Sequence, residues 1–269
     1  MENPELYIKH ILPHQAIHYR HVMDTYFPHI RHGTNHSKSV LDIGCGPGKA
    51  IRDVILPYLE QDIKEVIGVD VSKTILDYAN KTYGDDRFSF EEVDVSSEVP
   101  DKFVGRFDYI FSFMVFNWIT DKRKLYSNIL KMLKPNGRFL ATYKASGTLG
   151  HITKELCQME KYAPYLATNY QKRANLKMSP EELTNLLKDI GFESVFCQVK
   201  PTRYDNYTRE DLEAFLITIN PFHKTIPNNL QREFILDQVD RVDSVIDANG
   251  IRKFCLEDDL FVIYGRKKN

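Results

Sequence analysis

The residues of this 269-residue chain best suited to chemistry gather where apolar runs give way to glycine. Asp42 stands just ahead of the loop Gly44-Cys45-Gly46-Pro47-Gly48. Glycines at this spacing let the backbone turn sharply and let a ligand approach the main chain closely. The pattern GxGxG is not the GxGxxG that suits a dinucleotide, and Asp42 would repel a pyrophosphate but favour an ammonium group. Asp70, followed by Val71, ends the next apolar run, where a carboxylate accepts both hydroxyls of a ribose. Asp94 and Val95 close a third run and suit the amino group and the face of an adenine. Ser112, near the end of a fourth, offers its backbone carbonyl to an ammonium. Alone, the glycine loop reads as a tight turn and each acid as a satisfied loop residue. Suitable polar groups at four consecutive strand ends point instead to a nucleoside ligand that carries an ammonium group.

The elements that must position these residues alternate between short apolar strands and longer helical stretches. Strands are expected at 39–44, 65–71, 88–95, 107–113 and 138–143, with helices over 49–60, 73–83 and 121–133 between them. Strand–helix alternation with short connections predicts a parallel sheet covered on both faces, with its ligand crevice at the carboxyl ends of the strands. Beyond Tyr143 the rhythm loosens. A helical stretch covers 147–167, and Ser179-Pro180-Glu181-Glu182 starts a helix that Gly191 stops. A sixth strand is expected at 192–199. An aromatic and acidic insertion over about 204–250 holds helices at 209–219 and 228–245, and 260–266 is the last strand. The expectation is one domain over 1–269, with a core over about 35–200 and 256–269 and the insertion as its embellishment.

Composition sets the outer limits. An apolar fraction of 42% and a charged fraction of 27% exclude wholesale disorder. Thirty-six basic against thirty-seven acidic side chains leave a net charge of −1, so no general attraction to nucleic acid or to an anionic membrane is expected. No run of about 18 apolar residues predicts membrane insertion, and the start lacks a secretory pattern. A cytoplasmic protein with reduced thiols is the expectation, since Cys45, Cys157, Cys197 and Cys255 form no CxxC pair. His10, His14 and His18 recur at helical spacing, but Pro13 interrupts them and no acid cluster accompanies them, so no metal is expected. Cys45 near a helix start favours its thiolate on position alone. Lys122-Arg123-Lys124 and the basic residues 266–268 read as solvated faces.

Through VLDIGCGPG, VIGVDVS, EVDV, FDYIFSF and LKPNGRFLA, residues 35–145 resemble the class I methyltransferases that use S-adenosylmethionine. The resemblance implies a Rossmann-like, seven-stranded, mostly parallel sheet whose last strand is antiparallel, with the helical insertion before it as a substrate cap. It implies that Asp42 and Gly44 lie by the methionine part of the cofactor, that Cys45 packs beside the cofactor, and that Gly46 and Gly48 belong to the same site. Asp70, Val71, Asp94, Val95 and Ser112 complete the cofactor site, and S-adenosylhomocysteine is the product.

No NPPY-type tetrapeptide follows the fourth strand. Phe113-Met114-Val115-Phe116-Asn117-Trp118 stands there instead, and with the helix that bears Met159 it suggests a large apolar pocket. Nearly end to end the chain is similar to the insect juvenile hormone acid methyltransferases. The likeness runs through Glu5-Leu6-Tyr7, Gln15, Asn117-Trp118-Ile119, Gln158-Met159-Glu160-Lys161, Ile219-Asn220-Pro221-Phe222 and Ile226-Pro227. It implies methyl transfer to the carboxylate of farnesoic acid or its epoxide, a lipophilic acid, to give the methyl ester. Gln15 and Trp118 match positions that hold the acceptor carboxylate, and Phe113, Phe116, Met159, Ile219, Asn220 and Phe222 fall to its pocket. Asn117 stands where that family carries His. A carboxylate is already ionised at neutral pH, so transfer needs no general base, and an amide still donates a hydrogen bond. Trp118 as core, Gln15 as an exposed helix residue and the Asn220-Pro221-Phe222 turn as a mere connector stay open. So do a methyltransferase with another lipophilic acceptor, a non-catalytic lipid-binding homologue, and assembly as a homodimer.

Overall fold

The computed structural model describes residues 3–31, 37–59, 63–174 and 178–269. In chain order the elements are α1 (Pro4–His10), α2 (Leu12–Ile30), β1 (Lys38–Ile43), β2 (Ile63–Asp70), α3 (Lys73–Tyr83), β3 (Phe88–Glu92), β4 (Phe107–Phe113), α4 (Lys122–Met132) and β5 (Leu133–Gly147). There follow α5 (Thr148–Leu156), α6 (Ala163–Ala174), α7 (Pro180–Ile190), β6 (Phe192–Tyr207), α8 (Arg209–Ile219), α9 (Asn228–Val239), β7 (Ser244–Ile246) and β8 (Arg252–Lys267).

The sheet runs in the order β3-β2-β1-β4-β5-β8-β6. β1 to β5 pair in parallel, whereas β8 is antiparallel to both of its neighbours. The fold is therefore a Rossmann-like, mostly parallel sheet with an antiparallel last strand. Strand order reverses between β1 and β4, which opens a crevice beyond their carboxyl ends. β7 adds an eighth strand by pairing with β8, inside the stretch expected to stay helical to 245. The reason is local. Asp247 accepts from the backbone amides of Asn249 and Ile251, and Gly250 takes φ 77°, so the chain folds into a hairpin there.

The expected helix over 49–60 is irregular. Ile51–Ile55 is a π-turn and Leu56–Tyr58 a 3-10 turn. Pro57 has no N–H and its ring crowds the carbonyl four residues back, so the preceding turn widens until the Leu56 amide reaches Ile51 O. Glu60 lies outside the described residues. By contrast α7 starts as its sequence demands: Ser179 Oγ accepts from the Glu182 amide at 3.1 Å and Glu182 returns the bond to Ser179 N at 2.7 Å. Such a cap is worth about 1 kcal/mol. Gly191 ends that helix in the left-handed conformation.

Two apolar layers sandwich the sheet. Leu12, Ala16, Tyr19, Met23, Phe27 and Ile30 of α2 lie at helical spacing and bury against Tyr109, Phe111 and Leu140 of one face. On the other face, Leu125 and Ile129 of α4 and Leu183 and Leu187 of α7 pack on Ile110, Phe139 and Ile263. A third apolar cluster lies in the cap. It joins Leu156 and Leu166 of α5 and α6 to Phe215, Phe234 and Val239 of α8 and α9, over Tyr204, Tyr207 and Leu256 of the extended β6 and β8. Among the described residues no helix is long and apolar enough to cross a membrane.

Candidate active site

Beyond the carboxyl ends of β1, β2 and β4, between sheet and cap, lies a cavity of about 1000 Å³. Its floor is the glycine loop. The Gly44 and Cys45 amides both donate to Val69 O, at 2.7 and 3.0 Å, which folds the loop back over β2. Gly44 has φ 71°, and a Cβ there would stand 2.2 Å from Val115 Cγ2. Val115, two residues beyond β4, thus rests on a main chain that has no side chain to hold it off. Met114, just before it, takes φ 62°, a strained conformation for a residue of that size, and its amide donates to Thr142 O at 2.7 Å. Gly46 also has positive φ, and the space where its Cβ would stand is open.

Three carboxylates line this end. Asp70 accepts from the amides of Gly46 at 3.1 Å and Ser72 at 3.0 Å, one on each oxygen, and each oxygen keeps lone pairs for a ligand. Asp42 is 4% exposed and takes no hydrogen bond from any described residue. Burial, reinforced by the charge of Asp70, pushes its carboxyl well above the usual range. A carboxylate so placed fits a cationic ligand group, whose charge would restore the ionised form. Asp94 is held low by the Ser96 hydroxyl and amide and by Ser97. Together these carboxylates suit the adenine, ribose and ammonium of a nucleoside that carries an amino acid.

The other end is apolar and amide-bearing. The hydroxyls of Tyr7 and Tyr19 both donate to Gln15 Oε1, each at 2.8 Å. Two donors on that oxygen fix the orientation of the amide, so Nε2 is the atom left to donate to a ligand. Burial pushes Tyr7 up to about 12, which keeps it a protonated donor at neutral pH. With the Asn117 amide turned so that both its groups are satisfied, Nδ2 donates to Met114 O at 3.3 Å and Oδ1 accepts from the Trp118 indole N–H at 3.1 Å. Asn117 is thereby tied to the strained turn and to the indole beside it. Lys122 Nζ donates to the carbonyls of Phe116 and Ile119 on either side of this pair. Phe113, Val115, Phe215, Ile219 and Phe222 supply apolar wall.

The fold brings Gln15, Asn117, Trp118, Phe113, Ile219, Asn220 and Phe222 into one cavity with Asp42, Gly44, Cys45, Gly46, Asp70, Val71, Asp94 and Val95. Gln15 is buried, not an exposed helix residue, and Trp118 is 41% exposed, not core. The Asn220 turn is a built element, since Nδ2 donates to the buried Gln238 Oε1 at 2.7 Å and Oδ1 accepts from Phe222 N at 2.9 Å.

Four expected site residues lie off the cavity wall. Phe116 is buried between Tyr126 and Tyr143 in the sheet core. Met159 packs with the cap cluster, its sulfur 3.7 Å from the Arg241 guanidinium. Gly48 is a packing position, because a Cβ there would meet the Phe90 ring at 2.7 Å. The Ser112 hydroxyl donates to Ile43 O at 2.9 Å and clamps β4 to β1 below the loop. β3 ends at Glu92, so Asp94 heads a turn and is not a strand end. The Cys45 thiol is pushed well up by burial, which outweighs any help from a helix start, and its sulfur packs over Gly68.

Two of the three histidines, His10 and His14, meet at Asp211, and His18 turns to the sheet. His10 Nδ1 lies 2.8 Å from Asp211, His14 stacks on Tyr207 at 3.8 Å and His18 Nε2 lies 3.4 Å from Thr142 Oγ1. They dock the N-terminal helices on cap and sheet. Among the described residues no group of three or more His, Cys, Asp or Glu is placed to hold a metal.

Sequence reasoning gave no role to Tyr7, Tyr19 or Lys144, all on the cavity wall. Tyr19 stands four residues after Gln15, on the same helix face, a signal that was available. The Lys144 signal was not, because its partner is over a hundred residues away.

A sequence profile described as a methyltransferase domain matches residues 34–191, so the chain belongs to that family. Within it, the chain is similar to two proteins named juvenile hormone acid O-methyltransferase. That of Drosophila melanogaster is 27% identical over 257 residues, 91% of this chain and 86% of the relative. That of Bombyx mori is 27% identical over 206 residues, 76% and 73% of the two chains. Among solved structures, the YcgJ protein of a Bacillus species superposes with a TM-score of 0.57 at 18% identity, over 93% of this chain and 99% of that one. Phosphoethanolamine N-methyltransferase 2 of Haemonchus contortus, in complex with S-adenosyl-L-methionine, superposes with a TM-score of 0.52 at 17% identity, over 100% of this chain and 61% of that one. These two likenesses establish the shared fold.

Proposed function

We propose that this methyltransferase uses S-adenosylmethionine to methylate the carboxylate of a lipophilic, sesquiterpenoid acid such as farnesoic acid or its epoxide. One observation carries the reading. A single cavity joins three carboxylates that suit a cationic nucleoside carrying an amino acid to an apolar wall bearing one oriented amide, that of Gln15. The two similar juvenile hormone acid O-methyltransferases support the same choice of acceptor.

The cofactor supplies a methyl group on a sulfonium. Asp42 would hold its ammonium group, Asp70 its ribose, and Asp94 with Val95 its adenine. Gln15 orients the acceptor by donating from Nε2 to one carboxylate oxygen, which leaves the other free for in-line attack. Trp118 and Phe222 help exclude water. Orientation in a dry site is the main contribution, because an ionised carboxylate needs no base. The bound cofactor would give its methyl group to that oxygen and leave as the neutral thioether, so Gln15 has only to keep the oxygen in line while the two opposite charges annul each other.

Incubation of the purified protein with labelled S-adenosylmethionine and a panel of farnesoic, juvenile hormone and straight-chain fatty acids tests the proposal. Label should appear in the methyl ester of the isoprenoid acids. Label confined to a non-carboxylate acceptor, or none with any acceptor, would overturn it.

A further inference from the structure

Acceptor recognition by Gln15 and Trp118 leaves Lys144, a basic residue of the cavity, without a role. Lys144, on β5, lines the main cavity and also a second cavity of about 630 Å³, and Asn117, Trp118 and Phe222 line both. Lys144 therefore stands at the junction, beside the segment that carries the indole. Its side chain is 23% exposed and its ammonium lies 2.7 Å from Asp258 Oδ2 on β8, a side chain 3% exposed. Asp258 Oδ1 is buried with no hydrogen-bond partner, and Asp258 lines neither cavity. The acid thus lies outside both cavities and holds in place the ammonium of a residue that lines both. An ammonium has three donors, and Asp258 Oδ2 occupies one.

Acids outnumber bases on the cavity wall. Asp42, Asp70, Asp94 and Asp121 line the main cavity, and its other basic side chains are Lys224, exposed on the turn His223–Thr225, and His151. A cation fixed on the protein beside these carboxylates favours an anionic acceptor over a neutral one of the same shape. A lysine three-quarters buried on a strand does so with little loss of side-chain freedom, whereas one exposed at the rim is screened.

We infer that Lys144, positioned by the buried Asp258, is the cation that receives the acceptor's carboxylate and selects acids over neutral compounds of the same shape. This deepens the carboxylate reading and rests on it. It also gives product release a driving force, because the ester carries no charge and forfeits the ion pair.

The test is binding, read from the fluorescence of Trp118, the chain's single tryptophan. Wild type, Lys144→Gln and the double variant Lys144→Gln/Asp258→Asn are titrated with farnesoic acid and with farnesol, after binding of S-adenosylhomocysteine has shown each to be folded. The double variant removes the acid that the single one would leave unpaired. Wild type should prefer the acid. Both variants should lose roughly 10- to 100-fold in affinity for the acid, the size of one charge-assisted hydrogen bond, and less than about twofold for the alcohol. Equal losses for acid and alcohol, an unchanged affinity for the acid, or a wild type without preference would overturn the assignment. If Lys144 governs the preference but wild type transfers no methyl to the acid, the proposed function falls and the cation site stands. If wild type methylates the acid and Lys144→Gln binds it unchanged, the reverse holds.

Discussion

Substitution of Gly44 by alanine separates a steric role of the glycine loop from a merely conformational one. The backbone there has φ 71°, and an added Cβ would stand 2.2 Å from Val115 Cγ2 and 2.7 Å from Cγ1. Left-handed backbone costs a residue with a Cβ about 1–2 kcal/mol, and overpacking a tight contact adds about 1–3 kcal/mol. Gly44→Ala should therefore lose about 2–5 kcal/mol of stability. Relief requires Val115 to retreat by about an ångström, and Val115 begins the turn that carries Asn117 and Trp118. Misplacement of about 1 Å costs on the order of 10²-fold in rate, so turnover should fall that far in protein that remains folded. Gly46→Ala is the control, since its φ is 54° but no atom lies within 4 Å of the added Cβ. It should lose only the backbone part of the stability, and its kinetic defect should appear in cofactor affinity, because that open space belongs to the cavity. Thermal melts, S-adenosylhomocysteine calorimetry and single-turnover methyl transfer distinguish the two. The reasoning is refuted if Gly44→Ala melts and turns over like wild type, or if the two variants are indistinguishable.

Asp70→Ala should weaken S-adenosylhomocysteine by about 1–3 kcal/mol, through lost ribose contacts and two freed loop amides, and calorimetry on a folded variant with unchanged affinity would contradict this. Gln15→Ala should lower turnover about 10²-fold with cofactor affinity near wild type, while stability drops by about 2 kcal/mol as the buried Tyr19 and half-buried Tyr7 hydroxyls lose their acceptor; wild-type kinetics on every acid would remove Gln15 from the site. His18 is lowered to about 4 by burial, with His21 adding to the effect, so the unfolded chain binds this proton more tightly than the folded one. Stability should be full above pH 6.5 and decline as pH falls from there towards about 4, by up to about 3 kcal/mol. Chemical denaturation at pH 7.5 and pH 5 measures the loss, and a His18→Gln variant with the same pH dependence would assign it elsewhere.

The floor of the site was legible because its determinants are local. A glycine that needs positive φ, an acid at a strand end and a capped helix start are each specified within a few residues, so the loop from Asp42 to Gly46, Asp70 and the start of α7 could be read directly. The alternation of strands and helices likewise specifies a parallel sheet, since crossover helices have no other way to bury their apolar faces. Phe116 and Met159 show the limit. Both are apolar beside residues that do reach the cavity, and hydrophobicity alone does not distinguish a core side chain from a pocket wall. Gly48 shows the same limit for motif membership, because a glycine loop serves packing as well as ligand approach, and the Ser112 hydroxyl shows it for a strand end, because it bonds within the sheet.

What only the tertiary structure decided depends on partners distant in sequence. Lys144 pairs with Asp258, Ser112 bonds to Ile43, Asn220 is held by Gln238 and the Val115 side chain fills the space that Gly44 leaves. Burial of Asp42, which makes its carboxyl a seat for a cation, arises where the glycine loop, β2 and the first helices close around it. The sequence by itself determined which residue types were present and the local conformations they favour. Packing of the cap over the sheet decided which of them share one dry space, because desolvation and orientation belong to that enclosure and not to any one segment.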